Sequence, residues 1–387
     1  MKIVADENIV AVADYFRAHG ELRLLPGRSI RAEDVRDADV LLVRSITPVN
    51  EALLGGSRVR FVATATSGTD HIDRDYLQRA QIGLASAGGS NANAVVEYCL
   101  AGMAELICRG IFTLQGRSVA IIGFGHVGSA LYRRLTGLGL DCRVCDPFVE
   151  ARSRASGEYP DVSFCTLEQA MQAAIISLHT PLTRDAEHAT WHLFDEARID
   201  ALAPGTLFIN AARGAVVDNA ALQRRLAARN DLLTLWDVWE NEPDISQALL
   251  QEVVLATPHI AGYSVEAKRN ASEMNYQSFL QYFGLNNAAV EPAADNPLPS
   301  ARVHLPQLHS DGSAAQEERV FAECVRAAFD IAVIDGQLRS GVGQGARAFD
   351  DIRRQMAGRR EFSHYVLEAE LSVDNRRRLQ ALGFTLT

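Results

Sequence analysis

Three residues spread over the middle of the chain carry side chains suited to taking a hydride from a secondary alcohol: Arg213 in INAARGAVVDN, Glu242 in DVWENEP and His259 in TPHIAGYS. Such a reaction needs a base that accepts the hydroxyl proton as the hydride leaves carbon. A neutral imidazole, with an unperturbed pKa of about 6.5, suits that task. A carboxylate beside it fixes the tautomer and stabilises the imidazolium. A guanidinium can grip a substrate carboxylate with two parallel hydrogen bonds and polarise the developing carbonyl. Each residue alone has a plainer use. A lone histidine is most often structural, and a glutamate ahead of a proline also reads as a turn residue.

A second constellation points to a nucleotide. Gly123-Phe124-Gly125-His126-Val127-Gly128 is a G-x-G-x-x-G turn that follows the strand-like SVAIIG and opens the helical HVGSALYRRL. In that setting the glycines permit a tight turn, close approach of backbone to a pyrophosphate, and close packing of helix on strand. The N–H groups of the helix start then face the phosphates. Asp146 follows 18 residues after the last glycine, at the end of the next strand. There a carboxylate accepts from both ribose hydroxyls and repels a 2′-phosphate, which favours NAD over NADP; Arg152 and Arg154 nearby keep NADP open.

These residues need a frame. KIVADEN, DVLLVRS and RFVATATSG read as strands separated by helical stretches, such as the one through Val10 to Ala18, and predict a parallel sheet. The apolar run NANAVVEYCLAGMAELICRGI, with Asn91 or Asn93 as its cap, predicts a buried helix that bridges to a second domain. There SVAIIG, RVCDP, AIISLHT, GTLFINAA, LLTLWDVW and EVVLATPH give six strands of a doubly wound sheet. A helical run after His259, EAKRNASEMNYQSFLQYFG, is long enough to return the chain to the first domain, which makes that domain discontinuous. Residues 286 to 312 turn rich in Asn, Ala, Pro and Ser and read as a linker. Beyond it, HYVLEAEL and FTLT read as strands of a small third domain.

With 387 residues, two or three domains are expected, and 48% hydrophobic with 22% charged residues describes an ordinary globular protein. No apolar run reaches the roughly 18 residues of a membrane span, and the N-terminus enters a strand pattern without a signal or transit segment, so a cytoplasmic protein without membrane attachment is expected. A net charge of −10 argues against a nucleic-acid partner. The six cysteines show no framework spacing, and Cys142 and Cys145 point to opposite faces of one strand, so no metal site is expected.

The order of these features, with the Rossmann segment in mid-chain followed by R-G, E-P and P-H, resembles that of the D-2-hydroxyacid dehydrogenases. ATSGTDHID around Thr66, NANAVVEY, HTPLT and the three catalytic segments carry the resemblance, and FDDIRRQMAGRREF (349 to 362) resembles an extra domain that general members lack. The resemblance implies an α/β protein with two Rossmann-like doubly wound parallel-sheet domains and a small α+β C-terminal dimerisation domain. Residues 1–93 and 258–286 would form a flavodoxin-like substrate domain, 94–257 the NAD domain and 287–387 a module that makes a homodimer. It also implies NAD-dependent oxidation of a small phosphorylated 2-hydroxy acid lying between the first two domains.

By matching position, the resemblance makes Arg213 the substrate-carboxylate ligand, Glu242 the partner of the histidine, and His259 the acid/base. Ser45, Thr66 and Tyr263 would contact the substrate, with Arg44 as a phosphate partner by charge and place, although Arg44 and Ser45 also read as closing a turn. Gly123, Gly125, His126, Val127, Gly128, Asp146, Thr180, the backbone of Ala211, Ala212 and Arg213, Asp237 and Gly262 would line the NAD site. Where relatives commonly read A-P-G-C-N, this chain has Ala87-Gly88-Gly89-Ser90-Asn91, so those residues are not assigned. His71 reads as a structural hydrogen-bonder and the glycines at 341–345 as a loop. Two alternatives stay open: a phosphoglycerate-type dehydrogenase and a non-catalytic NAD-sensing scaffold.

Overall fold

Short aliphatic runs buried on both faces build the first sheet. The computed structural model describes residues 1–185, 187–286, 301–341, 343 and 345–387. It places β1 at Lys2–Asp6, β2 at Glu21–Leu25, β3 at Val40–Val43, β4 at Phe61–Thr64 and β5 at Gly83–Ser86. All pair in parallel in the order β2-β1-β3-β4-β5, the flavodoxin-like arrangement. β3 and β4 are buried throughout, whereas the edge strands β2 (ELRLL) and β5 (GLAS) are only partly covered. An edge strand needs no continuous apolar run, and neither of these two stands out in the sequence.

This first unit takes in Met1–Ala92 and resumes at Ser264. Helix Val265–Phe283 lays Tyr276, Phe279 and Leu280 into a core with Ile3, Phe16, Val40 and Phe61. The chain thus returns at Ser264, six residues later than the 258 read from sequence, because 257–263 remain bonded to the end of the second sheet, as described below.

The second unit opens with helix Ala92–Cys108, buried almost all round. Its sheet comprises β6 (Ser118–Ile122), β7 (Asp141–Cys145), β8 (Ile175–Leu178), β9 (Leu207–Asn210), β10 (Leu233–Trp236) and β11 (Leu255–Ala256). These are the six strands read from the sequence, all parallel, in the order β11-β10-β9-β8-β6-β7. A lone parallel bridge from Val144 to Phe164 stands where a dinucleotide-binding sheet carries a further strand beside β7.

The C-terminal segment forms a three-stranded parallel sheet, ordered β12 (Ala301–His304), β13 (Tyr365–Glu368), β14 (Thr385–Leu386). Helices Ala314–Ala328, Ile331–Ser340, Ala346–Gln355 and Val373–Ala381 pack with it. The sequence reading separates this segment as a third domain. In the structure it shares one compact unit with 93–263: Phe321, Phe329, Phe349 and Phe362 join the same hydrophobic core as Val96, Leu100 and Leu106 of helix Ala92–Cys108. The stretch read as a linker lies, from 287 to 300, outside the described residues, as do Val342 and Gln344 of the glycine loop. Among the described residues no helix is long and apolar enough to cross a membrane.

Candidate active site

Every candidate residue of the second unit sits at or just beyond the carboxyl end of a parallel strand or its loop, where open α/β sheets bind ligands. β9 ends in Asn210, which shapes the turn that follows: its Oδ1 accepts from Ala212 N (3.2 Å) and its Nδ2 donates to the Arg213 carbonyl (3.1 Å). Gly214 then lies directly against the next loop, where a Cβ would overlap the Trp239 carbonyl. Asn219 closes the junction, donating to the carbonyls of Gly214 (3.1 Å) and Val217 (2.8 Å) and accepting from Glu240 N (3.2 Å). Glycine and two asparagines therefore bring the Arg213 turn against the segment that carries Glu242.

Glu242 and His259 meet directly. Nδ1 of His259 lies 2.6 Å from Oε2 of Glu242, whose Oε1 accepts from Trp239 N at 2.7 Å. With Nδ1 donating to a carboxylate, Nε2 is the ring atom left for proton exchange. His259 has a φ of 55°, in the left-handed region that a bulky side chain rarely occupies. Its backbone is held there: His259 N donates to the Asp237 carbonyl (2.7 Å), while the Asp237 carboxylate accepts from Ile260 N (2.7 Å), Thr257 Oγ1 (2.7 Å) and Ala261 N (2.9 Å). Burial pushes the Asp237 carboxyl above its ordinary pKa, and the nearby His259 and these donors oppose that push. A carboxylate accepts about four hydrogen bonds, so Asp237 retains capacity for one more.

The glycine turn divides its labour unequally. Gly123 has a φ of +93° and a Cβ there would press on the His179 carbonyl; a Cβ at Gly128 would overlap the Gly123 carbonyl. Gly125 has no such reason to lack a side chain, since a Cβ would meet no protein atom within 4 Å. Bare backbone facing open space is what close approach of a pyrophosphate requires. Gly125 also begins helix His126–Gly137 without a side-chain cap, so the N–H groups of His126, Val127 and Gly128 sit at its positive end. Asp146 braces the turn by accepting from Phe124 N (2.8 Å) and from Val149 N (3.0 Å), capping helix Pro147–Ser156. After β8, Thr180 Oγ1 and His179 Nδ1 are buried polar atoms without a partner, a condition that calls for a ligand or an unseen donor. Burial pushes His179 down to about 3, which keeps it neutral. These features fit a bound dinucleotide.

In the first unit, Arg44 and Ser45 follow β3. Arg44 forks onto Asp6, Nε to Oδ2 at 2.8 Å and Nη2 to Oδ1 at 3.1 Å, and the Asp6 side chain is wholly buried. Ser45 is exposed. Thr66 Oγ1 lies 2.8 Å from Thr64 Oγ1 and donates to the Gly68 carbonyl (3.0 Å), while His71 Nε2 lies 3.1 Å from Thr64 Oγ1.

Residues 105–261 match the family model described as D-isomer specific 2-hydroxyacid dehydrogenase, NAD binding domain. The erythronate-4-phosphate dehydrogenase of Chromohalobacter salexigens is 44% identical over 398 residues, spanning 99% of this chain and 98% of its own. That of Pseudomonas aeruginosa is 42% identical and spans both chains completely. The chain belongs to the D-isomer specific 2-hydroxyacid dehydrogenases. NAD is the cofactor of this dehydrogenase. Its fold superposes on NAD+-bound 3-phosphoglycerate dehydrogenase of Entamoeba histolytica with a TM-score of 0.62 at 26% identity, covering 75% of this chain and 97% of that one. The solved chain is thus spanned almost whole while part of this dehydrogenase is left over, whereas the two erythronate-4-phosphate dehydrogenases match it end to end.

Several residues beside the candidate residues of each unit escaped the sequence reading. His192, with Nε2 2.9 Å from Glu240 Oε1 and Nδ1 3.9 Å from Asp218, ties the turn after Arg213 to the Glu242 segment. The second oxygens of those carboxylates are taken by Asn219 N and Ala221 N. Lys268 in helix Val265–Phe283 is a second cation beside Arg44; burial and then the Arg44 charge lower its pKa. The C-terminal segment also reaches the candidate Tyr263, since the Arg353 guanidinium lies over its ring at 5.5 Å. Nothing in local spacing marks such partners.

Proposed function

We propose that this dehydrogenase oxidises 4-phospho-D-erythronate to (R)-3-hydroxy-2-oxo-4-phosphobutanoate, a step of pyridoxal 5′-phosphate biosynthesis. The observation that carries the substrate assignment is the end-to-end match to erythronate-4-phosphate dehydrogenases, C-terminal segment included. The chemistry rests on the 2.6 Å contact between His259 and Glu242. His259 Nε2 takes the proton of the C2 hydroxyl, and Glu242 stabilises the imidazolium that results. Arg213 grips the substrate carboxylate and polarises the forming carbonyl. NAD, held by Gly123, Gly125, His126, Val127, Gly128, Asp146, Thr180, Ala211, Ala212, Arg213, Asp237 and Gly262, supplies the acceptor for the C2 hydride.

Ser45, Thr66, Tyr263 and Arg44 are proposed to contact the phosphorylated substrate. The working form is proposed to be a cytoplasmic homodimer joined through the C-terminal segment. All six cysteines are free thiols, as suits a reducing compartment. Sedimentation of the purified chain tests the dimer. Initial rates of NADH formation with erythronate 4-phosphate, 3-phosphoglycerate and D-lactate test the substrate: erythronate 4-phosphate should give the highest kcat/KM. A higher value for either competitor reassigns the substrate, and a chain that binds NAD but turns over none of the three would stand as an NAD-sensing scaffold.

A further inference from the structure

The loop that bears His259 is bonded from two sides. From β10 comes Asp237, which takes its N–H groups at Ile260 and Ala261. From the C-terminal segment comes Arg359, which takes its carbonyls: Nη1 donates to Ala261 O at 3.1 Å and to Tyr263 O at 3.0 Å. The other terminal nitrogen, Nη2, donates to the Ala94 carbonyl (3.1 Å) and to Glu97 Oε2 (3.3 Å) at the start of helix Ala92–Cys108. Arg359 is buried, and its guanidinium lies 4.1 Å from the centre of the Phe329 ring. Glu97 accepts in turn from Phe362 N (2.8 Å) and Asn93 Nδ2 (3.0 Å), and Asn93 donates to Glu361 (2.7 Å). A planar fork with donors on both terminal nitrogens can bridge a loop and a helix in this way; a lysine cannot.

We propose that Arg359 is a positioning residue for catalysis: the C-terminal segment uses it to fix the carbonyls of Ala261 and Tyr263, and so the aim of the His259 imidazole. The assignment rests on the acid/base role given to His259 above. His259 holds a left-handed φ, a conformation that persists only where its surroundings over-determine it. Asp237 holds the N–H groups of Ile260 and Ala261; Arg359 holds the carbonyls of Ala261 and Tyr263, the latter being the residue proposed to touch substrate. The C-terminal segment is then part of the active site's scaffold, whatever else it joins.

Full-length Arg359→Ala and Arg359→Lys decide the matter through two independent readouts. The first, amide hydrogen exchange, needs no substrate: exchange across 259–263 should quicken by about tenfold or more in both variants, while strand 118–122 keeps its protection. In the second, kcat with erythronate 4-phosphate should fall by about 100-fold for Arg359→Ala, with NAD affinity within about twofold. Methylguanidinium, which refits the deleted fork, should restore part of the lost rate in Arg359→Ala and none in Arg359→Lys. Unchanged exchange at 259–263, quickened exchange with unaltered kcat, equal quickening in both segments, no methylguanidinium rescue, or failure of both variants to fold each overturns the proposal. A wild-type chain inactive on erythronate 4-phosphate would instead overturn the substrate assignment and leave the exchange result standing.

Discussion

Two strand-end loops solve opposite problems. After β11, in Thr257–Tyr263, the protein commits the backbone, with Asp237 and Arg359 taking its N–H and carbonyl groups, and leaves the His259 ring to face its chemistry. After β3, the protein commits the charged side chain instead: Arg44 is locked onto buried Asp6, and the neighbouring Ser45 is exposed. Proton transfer tolerates little misalignment, so the first loop spends its hydrogen bonds on geometry. Recognition of a charged group depends more on where a fixed cation stands, and Asp6 supplies that fixity at the expense of Arg44's net charge.

The comparison breaks most sharply at His259. His259→Ala should lower kcat by about 1,000-fold or more, since it removes the proton acceptor, while NAD affinity measured by fluorescence stays near that of the wild type. Loss of NAD binding in a folded variant would place His259 in the cofactor site instead. Glu242→Gln comes next. The amide keeps an oxygen for Trp239 N but lacks the charge that stabilises imidazolium, and kcat should fall by about 100-fold with KM little moved. An unaffected kcat would return Glu242 to the role of a turn residue.

On the other side of the comparison, Arg44→Ala should act through KM. Loss of one charged hydrogen-bond donor to a phosphate is worth about tenfold in KM for erythronate 4-phosphate, with kcat nearly retained. Unchanged KM would leave Arg44 as the structural partner of Asp6 and nothing more. The same variant leaves Asp6 buried without its counter-charge, so its thermal midpoint should fall as well. Asp6→Asn separates the two effects, because it frees Arg44 without removing it.

What could be read in advance follows the range of the forces involved. The glycine turn and the inner strands β6, β8, β9 and β10 were legible because each satisfies a local demand: parallel strands buried on both faces read as nearly continuous apolar runs, and Gly123 and Gly128 answer contacts within a few residues or at the neighbouring strand end. Arg213, Glu242 and His259 stood out through their immediate neighbours. Asp6 with Arg44 and Arg359 with Ala261 did not, being 38 and 98 residues apart; a partner so distant leaves no periodicity or spacing behind. The edge strands β2 and β5 were missed for a related reason, since exposure on one side relaxes the pattern that reveals a strand. The union of the C-terminal segment with the second unit was also hidden, because the apolar faces of its helices do not record what they cover.

The last effect falls on stability, not on turnover, and reports on the anchor behind the His259 loop. Burial pushes the Glu97 carboxyl up from 4.5 to about 8, against the pull of Arg359 and with the push of Glu361. Between those values the folded chain holds a proton that the unfolded chain has released. The stability this gives is therefore complete below about 4.5 and is lost as pH rises toward 8, with a slope of at most about 1.4 kcal/mol per pH unit. Glu97→Gln mimics the protonated form and should flatten that slope in urea titrations repeated across the window. Near neutral pH the variant should be as stable as the wild type, because the wild-type carboxyl is itself mostly protonated there. A slope unchanged in Glu97→Gln would mean that Glu97 stays ionised, its charge balanced by Arg359. In that case the anchor is a plain buried ion pair, and Glu97→Gln should instead lose stability at every pH.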